Sequence, residues 1–100
     1  MRKCKPIVCT LNAAELGGRA VRWRTVMREG VESMRRCKGG YVLTLKPDAH
    51  VLTELDHLVR AERACCAWMN LDLQHGDQPT LRMTADSRLG SEVIRALLGL

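Results

Sequence analysis

The apolar positions of this chain change period several times, and each change marks an element. Lys5 to Leu11 is short and β-rich and reads as a first strand. Asn12-Ala13-Ala14-Glu15 then has capping-box spacing, with Leu11 and Leu16 at the staple positions. Leu16, Ala20, Trp23 and Met27 follow at helical spacing, with Arg19, Arg22 and Arg28 on the flanks and outer face, and Gly30 reads as the terminator. Glu32 to Lys38 shows no clean period and reads as a loop or frayed strand before the Gly39-Gly40 turn. Tyr41 to Lys46 is a second strand, stopped by Pro47, and Asp48 caps the next helix.

That middle helix is expected from about Ala49 to Ala67. At ~100° per residue, Val51, Leu52, Leu55, Leu58, Val59, Cys65, Cys66 and Met69 fall in one arc. His57, Asp56, Arg60, Arg63 and Ala64 lie on or toward the other side. Glu62 is out of place, near the centre of the apolar arc, with the two cysteines one turn further on. After Trp68 the period becomes two. Met69, Leu71 and Leu73 alternate with polar residues, His75 to Pro79 is a hairpin loop, and Leu81, Met83 and Ala85 share one face of a further strand. A last helix carries Val93, Ile94, Leu97 and Leu98. The order β-α-β-α-β-β-α predicts an α+β fold (an α/β sandwich), with three helices on a four-stranded mixed sheet. It is expected to be a single domain over residues 1–100.

Composition narrows the function. Phe is absent and the aromatic residues number three, so the core is aliphatic, with Met and Cys filling gaps. No apolar run approaches the ~18 residues of a membrane span, and the segment after the basic N-terminus lacks the apolar region of a signal peptide. A cytoplasmic protein with no membrane partner is expected. The five cysteines form no evident framework, so thiols are expected rather than structural disulfides. Residues 1–46 hold 11 Lys/Arg against 3 Glu, and residues 47–100 hold 5 Arg against 8 Asp/Glu. For a net charge of +5 a solvated surface is the preferred reading, and nucleic acid ranks last among partners. A homodimer is left open.

The chemistry concentrates at Glu62, Cys65 and Cys66. A carboxylate on an apolar face needs a partner, and Arg19 or Arg22 from the first helix would serve as a structural one. Otherwise Glu62 lines a cleft with the thiols, where it takes a proton or supplies an oxygen ligand. Cysteine packs well as a small hydrophobe, but two in succession beside a misplaced Glu point beyond packing. Thiolates select soft ions: Hg(II) commonly takes two and As(III) three. Cys9 and Cys37 are the candidates for a third sulfur, Cys9 being preferred, and Cys4 is expected to be exposed. Zinc fits less well, because there is no C-x-x-C and His50, His57 and His75 supply no ligand pair. Signatures of metalloproteases, α/β-hydrolases, P-loop enzymes and dinucleotide-binding enzymes are all missing. A binding role is therefore read ahead of catalysis. The first expectation is soft metal or metalloid binding (Hg or As type) by Cys65, Cys66 and Glu62, with a metal ion or small thiol-reactive ligand as partner. The alternatives are a thiol redox enzyme using the same pair, and a structural or dimerisation domain with buried cysteines. The element order also occurs in the thioredoxin core, whose redox pair opens the first helix. No cysteine stands there in this chain.

The run Leu55-x-x-Leu58-Val59-x-x-Glu62-Arg63-x-Cys65-Cys66 resembles a small bacterial domain family with a Glu-(Arg/Gln)-x-Cys-Cys signature. The alternating strands Met69 to Leu73 and Leu81 to Ala85, the closing Leu97-Leu98-Gly99 and the helix Trp23 are similar too, over roughly residues 8–99. Such domains are mostly uncharacterised, and similar ones form the C-terminal part of some MerR-type regulators. The resemblance implies this fold, a site at the Cys pair and a role in heavy-metal or thiol-stress response. Ala67-Trp68 stand where that family has Pro-Phe.

Overall fold

A computed structural model describes residues 13–100, with side chains from residue 18 onward. The expected first strand, the Asn12 cap with its staple, Cys4 and Cys9 all lie outside the described residues. The remaining elements run α1 (Ala13–Gly30), β1 (Val31–Cys37), β2 (Gly40–Leu45), α2 (Ala49–Cys65), β3 (Met69–Gln74), β4 (Thr80–Ala85) and α3 (Arg88–Leu97). Over the described residues the fold is α+β, with three helices and four strands.

The sheet order is β1-β2-β4-β3, and every pairing is antiparallel. The described sheet is thus antiparallel and not mixed. The reason lies in the connection through α2. β2 and β3 point the same way, as a crossover helix requires, but β4 folds back as a hairpin and inserts between them. The four strands also differ from those expected. Val31–Cys37, read from sequence as loop or frayed strand, is a full edge strand with a bulge near its start. Its residues are exposed or half-buried on both faces, so it has no alternation to read. The hairpin from β1 to β2 turns on Lys38 and Gly39. Gly39 has φ of 82°, the left-handed conformation that glycine adopts without steric cost.

One face of the sheet is apolar. Tyr41, Met83 and Leu71 align across it, as do Leu43, Leu81 and Leu73, and Met69 faces Ala85. Apart from Leu73, which is half-buried, these residues are buried and form the core with Trp23, Val26, Val51, Leu55, Leu58, Val59, Ile94 and Leu98 from the helices. On the opposite face Asn70, Asp72, Gln74, Arg35 and Arg82 are exposed. The helices therefore cover one face. Of the expected stripe on α1, Trp23 is fully buried, Val26 is buried more deeply than Met27, and Ala20 is half-buried.

Local chemistry sets the helix ends. Asp48 accepts from His50 N and Val51 N, and Ser87 accepts from Gly90 N. At the other end of α2 the backbone leaves the helix at Cys66, with φ −120° and ψ 76°. The helix stops there without a following proline: the Cys66 amide makes the last helical bond, to Glu62 O at 2.6 Å, and its carbonyl accepts from Met69 N at 3.0 Å in the turn that leads into β3. Arg63 Nη2 donates to Leu71 O at 2.8 Å, tying this end of α2 to β3.

Gly90 brings α3 close against Ala85 at the end of β4. A Cβ there would lie 2.7 Å from Ala85 Cβ and 3.1 Å from a Trp68 ring carbon. Helix propensity alone favours alanine over glycine by about 1 kcal/mol. The opposing contact is with a Cβ that moves only with its backbone, and overpacking of this kind costs about 1–3 kcal/mol. Gly90→Ala is therefore expected to lower stability by about 1 kcal/mol net. The urea midpoint should fall with unchanged m-value, and a stabilised variant would contradict this packing.

Candidate functional site: the Glu62, Cys65 and Cys66 cluster

The site joins two helices. α1 supplies Arg19 and Trp23, four residues apart and so on one helical face. α2 supplies Glu62, and its exit supplies Cys65 and Cys66. Glu62 is 3% exposed. Its Oε2 accepts from Trp23 Nε1 at 2.7 Å, and its Oε1 accepts from Arg19 Nη1 at 3.2 Å. The carboxylate is thus charge-paired and hydrogen-bonded within the core, as burial of a charge demands. Of the two arginines expected as partners, Arg19 takes Glu62, and Arg22 pairs with Glu54 nearer the surface. Arg19 accordingly lies inward, not on the flank or outer face of α1.

The sulfurs adjoin this carboxylate. The Cys66 thiol donates to Glu62 Oε1 at 3.5 Å, and its Sγ lies 3.6 Å from Cys65 Sγ. Both cysteines are buried, at 7% and 3% exposure. Adjacent side chains on a regular helix diverge by ~100°. Here the pair converges because the backbone departs from helical geometry at Cys66. The separation far exceeds a disulfide bond of ~2.0 Å.

Arg19 binds more than Glu62. It also donates to Ala61 O at 3.4 Å. Burial acts to lower its pKa, but the charge and hydrogen bond of Glu62, then those of Cys65, outweigh it and hold the guanidinium above its usual value. The site is therefore a short chain of polar contacts running from Trp23 and Arg19 through Glu62 to the two sulfurs.

Other sequence candidates stand elsewhere. Cys37 is half-buried at the end of β1, beside the Lys38-Gly39 turn. Among the described residues no group of three or more His, Cys, Asp or Glu is arranged to hold an ion, Cys37, Glu62, Cys65 and Cys66 included. His50 and His57 are exposed, and His75 Nε2 lies 4.0 Å from Asp56 Oδ1 at the surface. Trp23 was legible as a core residue but not as a hydrogen-bond donor to Glu62. Its four-residue spacing from Arg19 is the signal that could have found the pair. Trp68 Nε1 is buried and has no hydrogen-bond acceptor among the described residues. An open cleft of about 680 Å³ between α1 and the end of α3 is lined by Arg24, Met27, Leu98 and Leu100 among others, with no thiol, imidazole or acidic side chain. No described helix is long and apolar enough to cross a membrane.

Comparison of the chain with protein-family models, curated proteins and solved structures gave no match.

Proposed function

We propose that the protein is a cytoplasmic thiol module that binds a soft metal or metalloid, of the Hg(II) or As(III) type, through Cys65 and Cys66. The observation that carries this reading is the convergence of the two sulfurs to 3.6 Å beside a buried carboxylate. Thiolates are soft donors, and a chelating pair holds a soft ion far better than one sulfur does. Binding requires the thiols to lose their protons. Glu62 Oε1 already accepts the Cys66 proton in a hydrogen bond and is placed to take it. The resemblance to domains of heavy-metal-responsive regulators points the same way.

The test is titration of the purified chain with Hg(II) and arsenite, read by native mass spectrometry. Near-stoichiometric binding is expected, and Cys65→Ser/Cys66→Ser should abolish it while the circular dichroism spectrum stays unchanged. Equal binding by wild type and double variant would reject the proposal. Slow alkylation of both thiols in the native protein, with no ion bound, would instead favour cysteines that serve only as packing.

A second reading is thiol redox exchange at the same pair. It is favoured by the 3.6 Å approach of the two sulfurs, which would let one resolve a mixed disulfide formed on the other. It expects Cys65 to react with a small disulfide reagent faster than an ordinary cysteine at neutral pH.

A further inference from the structure

We infer that the dithiol is built for a pyramidal trivalent metalloid, an arsenical that keeps one substituent of its own, rather than for a linear ion such as Hg(II). The inference rests on the soft-ion reading and narrows it to a ligand class. Taking a metal–sulfur bond of ~2.3 Å, sulfurs 3.6 Å apart subtend about 100° at a shared ion. A three-coordinate centre with a lone pair holds its ligands somewhat inside the tetrahedral angle, which this bite matches. A linear S–M–S unit needs sulfurs ~4.6 Å apart on the same bond length.

The pair completes two of the three bonds of such a centre, and the ligand's own group is the third. For an arsonous acid R–As(OH)₂, two As–O bonds break and two As–S bonds form. Each hydroxide leaves with one thiol proton as water, and arsenic stays trivalent. Glu62 Oε1, 3.5 Å from Cys66 Sγ, relays that thiol's proton to the departing hydroxide. Arg19 and Trp23 hold the carboxylate in place while it does so.

The test uses the full chain with phenylarsine oxide and Hg(II), each competed against dithiothreitol, whose flexible sulfurs adopt either geometry. Native mass spectrometry reads stoichiometry, and tryptophan fluorescence reads occupancy. One phenylarsenic group per chain is expected. Its preference for the protein over dithiothreitol should exceed that of Hg(II) by roughly tenfold or more, the gain of a preorganised bite. Cys65→Ser and Cys66→Ser should each abolish the adduct, whereas Cys9→Ser and Cys37→Ser should leave it intact. Glu62→Gln should form the same adduct more slowly. Equal preference for Hg(II), or an adduct that needs Cys9 or Cys37, overturns this inference and leaves the soft-ion reading standing. If the pair holds neither probe, both fall.

Discussion

Trp23→Ala is expected to lower the stability of the fold by about 4 kcal/mol, the upper part of the range for a large core truncation. The indole is fully buried, so the variant opens a cavity at the contact between α1 and α2. It also removes a 2.7 Å donor from a buried carboxylate. Trp23→Phe separates the two effects. It keeps most of the ring volume but cannot donate, and a hydrogen bond to a charged group contributes about 1.5–3 kcal/mol. The Phe variant should therefore lose about half as much as the Ala variant in urea denaturation. A Phe variant as stable as wild type would show that the indole contributes volume alone. In both variants Glu62 loses one anchor, so if the thiols bind a soft ion as proposed, that binding should weaken along with stability.

The second large effect is at Arg19. Arg19→Met leaves Glu62, at 3% exposure, without its cation. Breaking one side of a buried ion pair costs about 3–5 kcal/mol. The guanidinium side chain is 13% exposed, so solvent screens part of the pair and about 3 kcal/mol is expected. Adding Glu62→Gln removes the stranded charge, and the Gln oxygen can still accept from Trp23. The double variant should therefore regain most of the loss, giving a strong coupling in a double-mutant cycle. Additive losses would mean that Arg19 acts through packing of its stem. The sign of the pH dependence follows from the raised pKa of Arg19. A group whose pKa is higher in the fold contributes fully below its unfolded value and loses that contribution only as pH rises through the folded one. For a guanidinium both values lie far into the alkaline range. The contribution should thus be flat across neutral pH.

Much of the fold was legible where one face of an element is buried and the other is wet. The arc on α2 is such a case: Val51, Leu55, Leu58, Val59, Glu62 and Cys65 are the buried residues of that helix. The alternation in β3 and β4 was legible for the same reason, and the cap at Asp48 was legible from its carboxylate just after Pro47, whereas the Ser87 cap came only from the structure. β1 was not legible, because an edge strand whose residues are exposed or half-buried on both faces has no buried face to set a period. The insertion of β4 between β2 and β3 was also hidden, since side-chain pattern shows which way a strand faces but not which strand lies beside it.

The candidate site divides along the same line. Sequence by itself placed Glu62 among apolar residues next to two cysteines, because a period of 3.6 assigns each residue to a helical face whatever the helix packs against. Only the tertiary structure decided that Arg19 and Trp23 reach Glu62, since that depends on how α1 lies against α2. It also decided that the two sulfurs stand 3.6 Å apart, because a local departure of the backbone at Cys66 brings divergent neighbours into contact. Periodicity fixes a direction from the axis, whereas a site requires distances between groups, and those come from packing.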